Sequence, residues 1–209
     1  MIVVACNTAT VNSISMLRSK YSIPIIGVEP AIKPAALESK GGVIGVLATK
    51  QTLKSDSFQQ LAARYSNVVK IETKACPDFV GLVENLEHES EAAIKTAERY
   101  IRPLLSAGCD QIILGCTHFS YLKSAIRKAV GNEADIVDTA VPVAKEVKRK
   151  LHHFNILRKS DFIGDTKFWT SGCSKKTEDS MSQLWGQEIN VLHHSDAGTS
   201  PRRRPGPIS

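Results

Sequence analysis

Short aliphatic runs alternate with helix-length amphipathic segments along most of this 209-residue chain, and no other feature constrains its fold as tightly. The runs at residues 2–6, 23–28, 43–48, 68–72, 111–114 and 136–137 have strand length. Between and after them, residues 9–20, 32–40, 52–65, 78–87, 90–105, 121–130 and 141–154 read as helices. Strands that are aliphatic throughout, without a polar face, belong to sheets covered on both sides, the habit of parallel sheets. Strands spaced by helices build βαβ units. The expected class is therefore α/β, with open parallel sheets flanked by helices. Residues 162–170 alternate like a further strand and 179–185 read as a helix. Residues 196–209, rich in Gly, Pro, Ser and Arg, are expected to form a disordered basic tail.

In an open α/β sheet, ligands bind beyond the carboxyl ends of the strands. A reactive residue directly after a strand is thus a candidate. Two places qualify: Val3-Val4-Ala5-Cys6-Asn7-Thr8 and Ile113-Leu114-Gly115-Cys116-Thr117-His118. Each is a small aliphatic strand, a small residue, a cysteine, then hydrogen-bonding residues leading into a helix. The repetition suggests two similar halves facing one another. A helix N-terminus offers free N–H groups and partial positive charge. Such a position is expected to lower a thiol's pKa. The same N–H groups, with the hydroxyls of Thr8 and Thr117, suit a carboxylate. The other cysteines, Cys76, Cys109 and Cys173, lack this placement and read as structural.

These residues carry a family resemblance. Ala5-Cys6-Asn7-Thr8-Ala9 resembles the first cysteine motif of bacterial glutamate racemases, and Leu114-Gly115-Cys116-Thr117-His118-Phe119 resembles the second. Val28-Glu29-Pro30-Ala31, Gly45-Val46-Leu47-Ala48-Thr49 and Phe79-Val80-Gly81-Leu82-Val83-Glu84 also look like segments of that family, in the same order. The resemblance covers residues 1–150, with Phe168-Trp169-Thr170-Ser171-Gly172 as a late echo. It implies racemisation of L-glutamate to D-glutamate, a peptidoglycan precursor, without any cofactor or metal. Cys6 and Cys116 match the two bases. Asn7 and Thr8, with Thr117 and His118, match the substrate-binding pairs. His118 and Glu84 match residues that assist the second cysteine. His118-Phe119 favours glutamate, because aspartate relatives tend to carry Glu where this chain has His118.

The resemblance also implies a domain plan. Residues 1–30 with 139–195 would form the first α/β domain and residues 31–138 the second. The family carries a further segment before the first cysteine motif, with an Asp-Ser-Gly turn and a Pro-Tyr-Gly stretch. Residues 1–209 hold no counterpart to it, so the first domain is expected to be incomplete, and whether the chain itself is active is left open. Gly164-Asp165-Thr166 lies at the wrong end and reads as a chance match.

Other classes find little support. The net charge of +6 is concentrated at Lys145, Lys148, Arg149 and Lys150 and at Arg202, Arg203 and Arg204. Neither cluster is interleaved with aromatics, so it reads as solvated surface and not as a nucleic-acid footprint. No apolar run approaches the ~20 residues of a membrane span. No basic n-region opens the chain, and a cytoplasmic home is expected. Five widely spaced cysteines without a C-x-x-C argue against a disulfide framework or zinc ribbon. Gly41-Gly42-Val43-Ile44-Gly45 reads as a turn into a strand, because it lacks the dinucleotide-loop spacing. His152-His153 and His193-His194 have no ligand-spaced partners. The alternatives left open are a racemase for aspartate or another amino acid, and a non-catalytic binding protein on the same scaffold. A homodimer is also left open.

Overall fold

A computed structural model describes residues 1–158, 164–172 and 175–193. Contacts divide the chain into two units, residues 1–159 and 160–209. In the first, β1 (Ile2–Val4), α1 (Asn7–Lys20), β2 (Ile25–Gly27) and α2 (Ile32–Glu38) come first. Then follow β3 (Val43–Ala48), α3 (Lys50–Lys54), α4 (Asp56–Ala63), β4 (Lys70–Ala75), α5 (Pro77–Glu84) and α6 (Glu91–Ser106). β5 (Gln111–Gly115), a 3-10 turn (Thr117–Ser120), α7 (Lys123–Val130), β6 (Asp135–Val137) and α8 (Ala140–His153) complete it. The second unit holds β7 (Phe168–Thr170), α9 (Lys175–Trp185) and β8 (Val191–His193).

Among the described residues every strand pairing is parallel, as expected from the aliphatic runs. The main sheet has the order β4-β3-β5-β6. β3 sits inside it, between β4 and β5, and Ala48 pairs with both Ala75 and Gly115. Three strands thus end at one level, and the residues after them, Thr49, Cys76 and Cys116, share one rim. Ile44, Val46, Leu47, Ile112 and Ile113 are fully buried in this sheet. β1 and β2 form a separate two-stranded sheet. Among the described residues β2 is the one neighbour of β1, and Ile2 and Val3 of β1 are exposed. α8 buries none of its residues. In the second unit β7 and β8 pair parallel, and the Phe168 and Trp185 rings meet edge to face at 5.0 Å.

Several boundaries differ from those read in the sequence. The helix expected at 52–65 is two helices, because Ser55 stops one and caps the next by accepting the Phe58 N–H at 3.2 Å. The strand expected at 68–72 runs instead from Lys70 to Ala75, three residues further on. The helix expected at 121–130 begins at Lys123, after a 3-10 turn that starts directly behind Cys116. Of the strand expected at 162–170, Phe168–Thr170 is observed, while 162 and 163 lie outside the described residues. The helix expected at 179–185 begins four residues earlier, at Lys175, and β8 was not anticipated. Cys173, His194 and the tail 196–209 also lie outside the described residues. Among the described residues, no helix is long and apolar enough to cross a membrane.

Candidate active site

β1 delivers Cys6 to the N-cap of α1 in extended conformation, φ −137° and ψ 122°. Its sulfur accepts the Ala9 N–H at 3.5 Å, and the residue is exposed. Thr10, one turn along, ties the helix to both strands. Its hydroxyl donates to the Val4 carbonyl and accepts the Val28 N–H, each at 3.1 Å. Gly27 is needed beneath it, because a Cβ there would come within 2.5 Å of the Thr10 methyl. Asn7 is 1% exposed, and neither its amide oxygen nor its amide nitrogen has a partner. An unpaired buried polar group costs about 1–3 kcal/mol, so the fold tolerates an open donor and an open acceptor beside Cys6.

The second cysteine follows a strand buried along its whole length. Gly115 has no room for a side chain, since a Cβ would lie 2.9 Å from the Leu47 carbonyl oxygen. Cys116 then caps a four-residue 3-10 turn, with φ −147° and ψ 136°. It is 6% exposed. Here the expectation of a lowered pKa fails. Burial pushes the Cys116 thiol above its ordinary value, and the backbone N–H groups of His118 and Phe119 only partly oppose that. The reason is geometric: a single 3-10 turn aligns few peptide dipoles, and desolvation of a buried thiolate outweighs them. His118 Nε2 lies 3.3 Å from Glu84 Oε1, so the pair expected beside the second cysteine is in contact.

The two cysteine turns lie close together. Their neighbours Ala5 and Thr117 line one cavity, and charge on Cys6 disfavours ionisation of Cys116. Thr8, next but one to Cys6, shares hydrogen bonds with the hydroxyls of Thr49 at 2.8 Å and Thr52 at 3.1 Å. Those two are themselves 3.0 Å apart, so three hydroxyls form a closed triangle between α1 and α3. Ser57 adds a 3.4 Å hydrogen bond to the Val11 carbonyl. An apolar cavity of about 540 Å³ opens alongside, lined by Ala5 and Thr117 together with Val3, Val28, Tyr121 and Val143.

Comparison with known proteins gives this geometry a lineage. A profile of the Asp/Glu/Hydantoin racemase family matches residues 1–147. The chain is 42% identical over 172 residues to a glutamate racemase of Herpetosiphon aurantiacus, covering 82% of this chain and 68% of the relative. The chain belongs to the Asp/Glu/Hydantoin racemase family. It is also 40% identical over 190 residues to a glutamate racemase of Pseudomonas putida, covering 90% of this chain and 71% of the relative. Among solved structures it resembles glutamate racemase isoform RacE1 of Bacillus anthracis, with a TM-score of 0.77 and 32% identity over 91% of this chain and 72% of that one. Escherichia coli glutamate racemase, crystallised with L-glutamate and an activator, gives the same TM-score at 30% identity, over 92% of this chain and 73% of that one. The chain thus spans about 70% of the length of these racemases.

Within this racemase-family site, the structure adds residues that sequence reading passed over. Thr49 and Thr52 touch Thr8, and Thr49 directly follows β3, a strand-end position like that of Cys116 after β5. A strand ending at residue 72 leaves Cys76 in a loop in the sequence reading. Cys76 directly follows β4, and charge on Cys116 reaches it. Burial pushes its thiol up to about 12, so it is a neutral group, and its sulfur donates to the Lys74 carbonyl at 3.5 Å. The Gly41 turn is no anion loop, since Asp110 accepts the Lys40 and Gly41 N–H groups at 2.6 and 2.7 Å. Among the described residues no group of three His, Cys, Asp or Glu is placed to hold a metal.

Proposed function

We propose that this chain interconverts L- and D-glutamate by a two-base mechanism, with Cys6 and Cys116 as the bases and no cofactor. The observation that carries it is Asn7, a buried amide with both hydrogen-bonding ends open, set between Cys6 and the Thr8 hydroxyl. Such a group matches the head of an α-amino acid, whose ammonium donates and whose carboxylate accepts. Thr8 and Thr117 supply hydroxyls to the same head group. The named relatives are glutamate racemases, and the Escherichia coli structure was crystallised with L-glutamate, which supports glutamate as the substrate.

Inversion at one carbon requires a proton to leave one face and another to arrive on the opposite face. Two sulfurs carried by different strand ends meet that need. The buried Cys116, held as a neutral thiol, is the proton donor when Cys6 withdraws the α-proton. In the other direction Cys116 must first lose its proton, and the adjacent His118, oriented by Glu84, assists that step. The two sheets are the two halves of the clamp, β1–β2 behind Cys6 and the four-stranded sheet behind Cys116. The product D-glutamate would serve peptidoglycan synthesis.

Incubation with L-glutamate or L-aspartate in D2O, followed by proton NMR and chiral separation, tests the reading. Glutamate is expected to gain deuterium at Cα and to racemise, while aspartate stays protonated. Exchange of aspartate alone overturns the substrate. Absence of exchange with either amino acid overturns the catalysis.

A further inference from the structure

α5 lies against the turn that follows Cys116 and touches it at two points. Glu84, its last residue, meets His118 at 3.3 Å. Phe79, in its first turn, packs edge-on against Phe119, with ring centroids 5.0 Å apart and planes at 89°. Phe79 also meets Tyr100 of α6 edge-on at 5.2 Å. Phe79 and Phe119 are fully buried. α5 is itself fixed at its start, where Asp78 accepts from Arg99 at 2.5 Å and from the Tyr100 hydroxyl. The Phe119 backbone N–H bonds the Cys116 carbonyl at 3.0 Å, and the same amide opposes the burial that pushes the Cys116 thiol up. Phe119 therefore joins two things: its ring is held by Phe79 and its amide belongs to the Cys116 cradle.

We propose that Phe79 is a positioning residue for Cys116, its ring fixing through Phe119 the 3-10 turn that Cys116 opens and whose imidazole meets Glu84. This rests on the reading of Cys116 as a catalytic base. An edge-to-face aromatic pair has a preferred geometry that an aliphatic side chain of similar bulk does not reproduce. Removing the ring edge leaves a small apolar gap, which stays dry. The desolvation of Cys116 is then unchanged, and only the aim of its amide donors is lost.

The test compares Phe79→Leu with Phe58→Leu. Phe58 is also buried, but packs in a cluster with Ile32, Ala36 and Val46 that includes no residue of the turn. Alkylation of Cys116 by iodoacetamide is followed by peptide mass spectrometry across pH, and thermal melting is recorded for both variants. Phe79→Leu is expected to shift the Cys116 profile upward by roughly half a pH unit, about threefold slower labelling at fixed pH. Phe58→Leu is expected to lose comparable stability with no shift. In turnover, Cα-deuterated D- and L-glutamate would show isotope effects moving in opposite directions for Phe79→Leu, since only one of two proton transfers is slowed. An unshifted profile, or an equal shift in both variants, overturns the proposal. Where Phe79→Leu does not fold, Phe79→Met removes the ring with a flexible side chain that adapts to an irregular gap, and is read the same way. A parent chain that labels normally but never exchanges glutamate counts against the racemase reading alone, because the alkylation profiles still decide the role of Phe79.

Discussion

Replacing Gly115 by alanine should damage fold and site together. The new methyl would stand 2.9 Å from the Leu47 carbonyl oxygen and 3.0 Å from the Ala48 Cβ. Unstrained carbon contacts fall near 3.5–4.0 Å, so the shortfall is about half an ångström or more. Neither neighbour can turn aside, because one is backbone and the other the first atom of a side chain on the adjacent strand. The end of β5 must draw away from β3 instead. Overpacking of this kind costs about 1–3 kcal/mol, and the backbone contact places Gly115→Ala in the upper half. For a chain of this size 1 kcal/mol moves the melting temperature by about 2–4 °C, giving a fall of about 4–12 °C. Cys116 is the next residue and shifts with the strand, so racemisation should drop on the order of tenfold, given that a 1 Å misplacement costs about a hundredfold. Gly81→Ala is the control: it lies inside α5 with no atom within 4 Å of the added Cβ. There alanine should stabilise by about 0.5–1 kcal/mol. Circular dichroism melts and glutamate exchange in D2O read both. If Gly115→Ala melts with the parent, the close approach of β3 and β5 is not what fixes the second cysteine.

Asn7→Leu should raise the melting temperature of the unliganded protein, by removing a buried amide without partners, at about 1–3 kcal/mol. It should also abolish glutamate exchange; a variant that is more stable and fully active would detach Asn7 from substrate. Thr10→Val should lower stability by about 2–3 kcal/mol in urea titrations, because it strands the Val4 carbonyl and Val28 N–H, while Thr10→Ser should recover most of the loss. Stability should fall in alkali. Burial raises the thiols of Cys76 to about 12 and Cys109 to about 11, from 9.0. Between those values the unfolded chain has released protons that the folded chain still holds, so unfolding gains as pH rises. The stability is fully present below pH 9.0 and declines toward about 12, and Cys76→Ala should flatten that decline in melts recorded from pH 8 upward.

Much of the fold was legible because parallel strands are aliphatic on both faces. Ile44–Ala48 and Gln111–Gly115 are buried nearly throughout and read as strands without ambiguity. β4 was harder. Its sequence Lys70-Ile71-Glu72-Thr73-Lys74-Ala75 flanks the sheet and alternates with polar residues, so its far end looked like loop. That error hid Cys76 at the rim. Ser55 was missed as a break because caps are made by single side chains that leave the apolar pattern intact. Cys6, Asn7, Thr8, Cys116, Thr117 and His118 stand out in the sequence because two short polar stretches follow aliphatic runs of strand length. The sign of the Cys116 shift was not legible, since burial is a tertiary property and outweighs what a local turn supplies. The Thr8–Thr49–Thr52 triangle was not legible for the same reason: it joins residues far apart in the chain.

Single replacements of Cys6 and Cys116 by serine, with the double variant, probe most directly whether one sulfur acts on each face of the substrate. Racemisation of glutamate should vanish in Cys6→Ser and in Cys116→Ser alike, and the double variant should be no worse than either, because the two act as a unit. Undiminished racemisation by either single variant would contradict the two-sulfur account.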